Sequence, residues 1–161
     1  MRVLLATLMV ALLCSCGFQL RGAQPLPFET LFIALPETSE LGAQLRRSIR
    51  AGSATRLVDS APEAQAVFVP TGELREKNIL SLSSAGRVRE FQLRYRFAFR
   101  VHDAKGRDII PLSEIVLTRE ISFSDAQLLA KEQEEILLFR DMQNDLVQQL
   151  MRRLAAAKIP G

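Results

Sequence analysis

The sequence predicts a single α/β domain of the α+β type, a two-layer sandwich in which two helices pack on one face of a small mixed β-sheet. The segment Phe91–His102 alternates between apolar and polar side chains, a period of two that is typical of a strand with one buried face. Two further segments, around residue 45 and after residue 127, repeat apolar residues at helical spacing. The resulting order is strand, helix, two or three strands and a long helix, and it predicts the two layers.

The N-terminus has the pattern of a secretion signal. Arg2 is followed by an apolar run, Val3–Leu13, which is shorter than the roughly 20 apolar residues that cross a bilayer. The sequence Leu-Cys-Ser-Cys-Gly at residues 13–17 resembles a bacterial lipoprotein signal, in which a small residue precedes the lipid-bearing cysteine. We therefore expect cleavage after residue 15, lipidation of Cys16 and sorting to the outer membrane. A plain secretory peptide or an uncleaved anchor is the alternative.

Residues 16–28 contain several glycines and prolines and are expected to form a lipidated tether, followed by one domain at residues 29–158. The chain has two cysteines. If one is removed with the signal and the other is acylated, no thiol remains for a disulfide, and the apolar core alone must hold the fold. The formal net charge of +3 is too small to indicate nucleic-acid binding.

The first elements of the domain are a strand and a helix. The apolar run Thr30–Ala34 predicts a buried strand. Thr38 or Ser39 is placed to cap a helix that ends near Gly52. One face of this helix carries the apolar residues Leu41, Leu45 and Ile49.

The next segments predict three strands. Residues 66–82, interrupted by Pro70 and Gly72, are expected to form one bulged strand. The long strand Phe91–His102 follows, and the short loop at residues 103–108 leads to an antiparallel partner. One cation, Arg119, interrupts the apolar positions of that partner strand. Those positions are Ile115, Leu117, Ile121 and Phe123.

The last helix is expected to begin at a capping box formed by Ser124 and Gln127 and to run to about Ala157. Leu137 and Leu138 lie outside its main apolar stripe and indicate a second contact surface. The stripe itself collects Leu128, Leu129, Ile136, Phe139, Leu146, Val147, Leu150 and Leu154.

Residues suited to catalysis or metal binding are scarce. The only histidine, His102, is expected on the solvated face of the long strand, and no motif that positions a catalytic serine or cradles a phosphate occurs. Asp103 and Asp108 share one loop, a weak basis for a metal site, and a solvated hairpin loop is the simpler interpretation. We therefore expect no enzymatic activity, no metal and no cofactor.

Basic residues cluster around the long strand and the last helix. Residues two apart on a strand lie about 6.6 Å apart on one face, so Arg94 and Arg96 repel each other unless anions compensate them. Those anions are either Glu114 or Glu120 across the hairpin, or the phosphates of an anionic lipid or the carboxylates of a partner protein, to which Arg donates parallel hydrogen bonds. The cluster comprises Arg87, Arg89, Arg94, Arg96, Arg100 and Lys131.

Several short motifs occur in a characteristic order. They are Cys-Gly-Phe-Gln-Leu-Arg-Gly at residues 16–22, the long alternating strand, Gly-Arg-Asp-Ile at 106–109, and the last helix with Leu-Ala-Lys-Glu at 129–132. In this order they resemble the lipopolysaccharide-assembly lipoprotein family LptE over nearly the whole chain. Residues 53–84 match only in outline.

The resemblance implies a non-enzymatic outer-membrane lipoprotein of the two-layer fold that needs no cofactor. Members of the family plug the lumen of the barrel LptD as a one-to-one partner, help that barrel assemble and bind lipopolysaccharide. Membership also implies lipopolysaccharide contacts at Arg87, Arg89 and Lys131. Because the start of one strand in a hairpin neighbours the end of the next, we expect these cations to converge at one end of the sheet.

Two other functional classes remain open. A periplasm-facing lipoprotein that binds a soluble ligand or a cell-wall component would need a concave pocket. An enzyme would have to depend on His102, which has no recognisable catalytic partner in the sequence.

Overall fold

One mixed sheet of five strands carries two helices, as the sequence predicts. The structure is a computed structural model that describes residues 25–124 and 127–159. The elements in chain order are β1 (Thr30–Ile33), α1 (Glu40–Gly52), β2 (Arg56–Leu57), a 3₁₀ turn (Ala61–Glu63), β3 (Ala66–Leu82), β4 (Val88–Asp103), β5 (Asp108–Ser122) and α2 (Leu128–Ala155).

The sheet has the strand order β2-β1-β3-β4-β5. β1 lies parallel to both β2 and β3, and β3, β4 and β5 form an antiparallel meander. A parallel pair needs a crossover connection, which α1 provides between β1 and β2. The sequence did not predict β2, because two residues are too few to show a period.

The helix α1 begins as expected. The Ser39 hydroxyl oxygen accepts a hydrogen bond from the Gly42 N–H at 3.1 Å, so Ser39 rather than Thr38 is the cap. The helix ends at Gly52. Its predicted apolar face is buried against the sheet at Leu41, Leu45 and Ile49.

The strand β3 is bulged, as predicted from Pro70 and Gly72. Its pairing with β4 shifts between these two residues and again between Ile79 and Leu82. β1 pairs only with Ala66–Phe68 of β3, so the rest of β3 has no strand neighbour on its outer side among the described residues. Bulges and charged side chains on such an edge disfavour pairing with other chains.

The alternating residues of β4 form the centre of the core. Leu93, Phe97, Phe99 and Val101 are at most 1% exposed, and the rings of Phe68 and Phe99 stack at 5.2 Å between centroids. Both helices cover this face. On the opposite face, a small apolar cluster around the 3₁₀ turn covers only the β1 end of the sheet.

The cation that interrupts the apolar positions of β5 is not buried. Arg119 extends past the core to an ion pair with Asp145 on α2, and its side chain is 40% exposed. The guanidinium therefore stays in contact with water although the strand faces the helices.

The helix α2 differs from the expectation in two respects. It begins at Leu128 with Gln127 at the cap position and without a side-chain capping bond, so the predicted start at Ser124 was wrong. The Gln127 N–H donates to the Ser124 carbonyl at 3.0 Å, which forms a turn ahead of the helix. Asp125, which belongs to the predicted capping box, lies outside the described residues. The helix ends at Ala155 rather than Ala157.

The apolar stripe of α2 is buried only in its second half. Seven residues between Met142 and Leu154 are buried, whereas three predicted members of the stripe, Leu128, Leu129 and Ile136, are 48%, 78% and 54% exposed. Leu137 is also exposed, but Leu138 packs against the core. Neither α2 nor any other helix within residues 25–124 and 127–159 is long and apolar enough to cross a membrane.

Candidate functional site

Lys131 is in the first turn of α2, where it contacts the end of β5. Its ammonium donates to the Ser122 hydroxyl at 2.9 Å and to the Glu134 carboxylate at 2.8 Å. The side chain is only 18% exposed, whereas that of Glu134 is 47% exposed. The lysine is thus an oriented, half-buried cation with one anionic neighbour.

Arg87 and Arg89 lie on the turn between β3 and β4 and just after it. The Ser83 N–H donates to the Arg87 carbonyl at 2.7 Å and closes the turn. Gly86 in this turn has φ +73°, a conformation that favours glycine. Both arginine side chains are exposed, and neither forms an ion pair with the part of the chain that the structure describes.

Backbone pairing brings Arg89 and Lys131 to the same end of the sheet. The Phe123 N–H donates to the Arg89 carbonyl at 2.7 Å, and the preceding residue, Ser122, accepts from Lys131. Arg87 lies two residues further toward the hairpin turn. The three positions therefore lie at the same end of the sheet, as the hairpin pairing predicts.

A small cleft of about 60 Å³ opens beside Lys131. A second lysine, Lys77, donates to Glu135 at 2.5 Å and lies 4.4 Å from the centroid of the Phe91 ring. Glu134, Glu135 and Lys77 were not predicted as site residues. The three- and four-residue spacing of Lys131 to Glu134 and Glu135 was the available signal, because such residues share a helix face. Residues that line the cleft include Lys77, Phe91, Phe123, Leu128, Lys131 and Glu135.

The uncovered face of the sheet carries both signs of charge. Arg96 donates two hydrogen bonds to Glu114, at 2.9 and 3.2 Å, and Arg100 lies 3.9 Å from Asp108. Arg94 is opposite Glu76 on β3 and Thr118 on β5 in the strand register. The interpretation that Glu114 compensates this arginine row across the hairpin is thus confirmed for Arg96. The face combines ion pairs with exposed apolar side chains, such as Leu74 and Val116 on either side of Arg96, and is not a continuous basic surface.

Residues of the loop between β4 and β5 provide the hydrogen bonds of the Asp103 carboxylate. The Asp103 carboxylate accepts from the N–H groups of Lys105 and Arg107, both at 2.9 Å, and from the Arg107 Nε at 2.8 Å. Burial opposes ionisation of Asp103, but these hydrogen bonds outweigh it and lower the pKa of the carboxyl. Asp103 is occupied by this loop and is not oriented as a ligand. Across residues 25–124 and 127–159, no group of His, Cys, Asp and Glu side chains could hold a metal ion.

A polar network crosses the layers beside the core. The Tyr95 hydroxyl donates to Glu73 at 2.7 Å, and the Arg75 guanidinium donates to Gln143 on α2 at 2.9 Å. Gln143 in turn donates to Gln44 on α1 at 3.0 Å. Burial is the main cause that raises the pKa of Tyr95. The network joins two strands and both helices, so its role is structural.

The chain has close relatives of known family. The sequence profile of the lipopolysaccharide-assembly family LptE matches residues 28–154. The LPS-assembly lipoprotein LptE of Yersinia pestis (strain Pestoides F) is 32% identical over 155 residues, which cover 94% of this chain and 73% of the relative. The same protein of Yersinia pseudotuberculosis serotype O:1b (strain IP 31758) has the same identity and coverage.

Solved structures share the fold. The uncharacterized lipoprotein B from Nitrosomonas europaea superposes with a TM-score of 0.75 at 45% identity, covering 87% of this chain and 91% of that one. A minor lipoprotein from Acinetobacter baumannii superposes with a TM-score of 0.67 at 24% identity, covering 84% and 100%, and so supports the fold alone. The profile match and the identity to the Yersinia proteins show that this chain belongs to the lipopolysaccharide-assembly family LptE.

Proposed function

We propose that this protein, as a non-enzymatic LptE family member with a role in lipopolysaccharide assembly, is an outer-membrane lipoprotein that plugs the LptD barrel and binds lipopolysaccharide. The acyl chains would be attached at Cys16, which lies outside the described residues. The observation that carries the proposal is the convergence of Arg89, Lys131 and the nearby Arg87 at one end of the sheet.

The surface supports a plug in a polar lumen. The uncovered sheet face carries exposed ion pairs such as Arg96–Glu114, and the lumen of an outer-membrane barrel is polar. The apolar core is closed within the domain by both helices. The polar groups of this surface can contact polar side chains of a barrel in place of water while the apolar core stays covered.

The cation cluster supports a contact with lipid phosphates. Arg87 and Arg89 are exposed and have no ion pair among the described residues, so their guanidinium groups are available to an anion. Lys131 is held in place by Ser122 and Glu134. Arg and Lys together provide the bidentate and point-charge contacts that phosphates accept.

The barrel proposal is tested by purification of the tagged native protein from detergent extracts of its own membranes. We expect a much larger barrel protein in one-to-one amount, retained through gel filtration. Recovery of the lipoprotein alone, at the size of a monomer, would exclude a stable plug.

The lipopolysaccharide site is tested by charge reversal. Lys131→Asp combined with Arg89→Asp should weaken lipopolysaccharide binding at least about tenfold, because each cation near an anionic lipid surface contributes about 1 kcal/mol. Binding of the wild type should also weaken as salt rises. A matched control reverses two exposed arginines outside both candidate sites, Arg47 and Arg56, with the same change in net charge. Equal losses in both double variants would argue for a diffuse charge effect instead of a site.

The anchor is tested at Cys16. Cys16→Ser should prevent acylation and cleavage at this position, because the thiol accepts the lipid, and should move the protein out of the outer-membrane fraction. Membrane retention of a Cys16→Ser protein cut after residue 15 would contradict the proposal.

A second candidate function has one observation in its favour. A cleft of about 500 Å³ lies at the carboxyl end of β1, with Arg46 and Arg50 of α1 and the acidic Glu37 and Asp59 on its wall, a location where open α/β sheets often bind ligands. A lipoprotein that binds a small soluble ligand would use it. Thermal stabilisation by small anions that is lost in Arg50→Ala, together with no barrel in the purification, would favour this function.

A further inference from the structure

The two lysines that line the small cleft, Lys77 and Lys131, each have a glutamate partner on α2. Lys77 contacts Glu135 and Lys131 contacts Glu134, whereas Arg87 and Arg89 have no such partner among the described residues. A phosphate can therefore approach the two arginines directly. To reach the Lys131 ammonium it has to replace a carboxylate that is already there.

We propose that Glu134 is an exchangeable internal counter-ion of Lys131, which weakens lipopolysaccharide binding and speeds its release. This inference rests on the proposed lipopolysaccharide site and concerns its regulation. When ligand binds, Lys131 exchanges Glu134 for phosphate; when ligand leaves, Glu134 returns to the ammonium.

The burial of Lys131 explains why a returning partner affects release. At 18% exposure the side chain has limited access to water, and a half-buried ammonium without an anion is poorly solvated. If the phosphate left and Ser122 were the only remaining acceptor, the Lys131 ammonium would be a half-buried cation without an anion. Glu134, one helical turn away and 47% exposed, can rotate into solvent while ligand is bound and return afterwards.

The exchange also predicts a distinctive salt dependence. In the wild type one ion pair at Lys131 replaces another, so screening acts on both sides of the equilibrium and largely cancels at this position. Without the Glu134 carboxylate, ligand binding creates a new ion pair there. Binding by a Glu134→Gln variant should therefore be tighter at low salt and should fall more steeply as salt rises.

The chain offers a matched control in the same helical turn. Glu132 lines the same cleft, is exposed and has no hydrogen bond or ion pair among the described residues. Glu132→Gln and Glu134→Gln remove the same charge from nearly the same place, and only the second removes the partner of Lys131. Glu135 is unsuitable as a control, because its loss would free Lys77.

The experiment measures binding and dissociation of fluorescent lipopolysaccharide by the full-length lipoprotein in detergent, at low and high salt. Glu134→Gln should bind two- to fivefold more tightly than Glu132→Gln, the range expected for an exposed ion pair, and mainly through slower dissociation. Both variants are repeated with Lys131→Gln, in which the difference between them should vanish.

The possible results distinguish a failure of the counter-ion inference from a failure of the proposed lipopolysaccharide site. Equal binding by Glu134→Gln and Glu132→Gln, or a gain that persists with Lys131→Gln, would overturn the counter-ion. If Lys131→Gln alone weakens binding while Glu134→Gln has no effect, the proposed site stands and only this inference fails. If the wild type does not bind lipopolysaccharide, or Lys131→Gln binds as well as the wild type, the site fails and the inference fails with it.

Discussion

The two halves of α2 carry apolar residues at the same helical spacing and have opposite surroundings. In the second half Leu150 and Leu154 are fully buried, whereas in the first half Leu129 is 78% exposed. The reason is the extent of the neighbouring layer. Contacts from α1 reach α2 near Gln143 and Asn144, and no element of the described chain covers the outer side of the first turns. Amphipathic spacing thus shows which face of a helix can be buried, and the neighbouring elements decide how much of it is.

The largest expected effect is a difference in stability between two leucines of α2. Leu150→Ala should lower the free energy of unfolding by about 2–5 kcal/mol, because it leaves a cavity in the core, whereas Leu129→Ala should change it by less than about 0.5 kcal/mol. Urea denaturation of both variants measures the difference. Similar losses would mean that the first half of the helix is packed as tightly as the second.

A smaller effect is expected at the boundary between the halves. Gln143 is 3% exposed and connects Arg75 to Gln44, so Gln143→Leu should cost about 1–3 kcal/mol by removing both of these hydrogen bonds from a buried position. The same denaturation experiment checks this value. Gln148→Leu, at an exposed position of the same helix, serves as the control and should be close to neutral.

The smallest effect concerns Tyr95 at the same boundary. Tyr95→Phe removes the part-buried hydrogen bond that Tyr95 donates to Glu73 and the longer one that it accepts from Arg75, and should cost about 1 kcal/mol. Burial raises the pKa of Tyr95 above its ordinary value of 10.0, so the folded state disfavours the charged form. The stabilisation that Tyr95 provides is therefore complete below about pH 10 and is lost as pH rises toward the higher pKa of the folded state.

The composition of the chain makes that titration measurable. Tyr95 is the only tyrosine and the chain has no tryptophan, so tyrosinate absorbance reports this residue alone. We expect ionisation to begin above pH 10 in the folded protein and near pH 10 in urea. Identical titrations in both conditions would show that Tyr95 is solvated in the folded state.

Most of the fold could be predicted from local patterns. The alternation of β4, the cap at Ser39 and the interruptions at Pro70 and Gly72 are properties of neighbouring residues, and each gave the correct element. The start of α2 was wrong because a Ser-x-x-Gln spacing resembles a capping box whether or not the backbone folds into the helix there. The exposed half of α2 depends on the length of α1, which no pattern within α2 records.

The candidate site was predictable only in part. The hairpin connection placed Arg89 and Lys131 at one end of the sheet, since antiparallel pairing follows from a short loop. The carboxylates that accompany the cations were predicted only in part, because the hairpin offered Glu114 for the arginine row whereas Glu134 was not singled out for Lys131. Arg96 pairs with Glu114 on the next strand, and Lys131 pairs with Glu134 along its own helix. A count of basic residues therefore overstates the positive field of this surface.

The position of β1 inside the sheet, between β2 and β3, has a mechanical consequence. Any pull that the chain upstream of residue 25 transmits enters the domain at β1, which is hydrogen-bonded to β2 on one side and to β3 on the other. The Thr55 hydroxyl also donates to the Phe28 carbonyl at 2.9 Å just ahead of the strand. A tethered edge strand could be unzipped one bond at a time, whereas here the ladders on both sides must shear together. A pull on the N-terminal side of this domain is therefore expected to need more force than the peeling of an edge strand would.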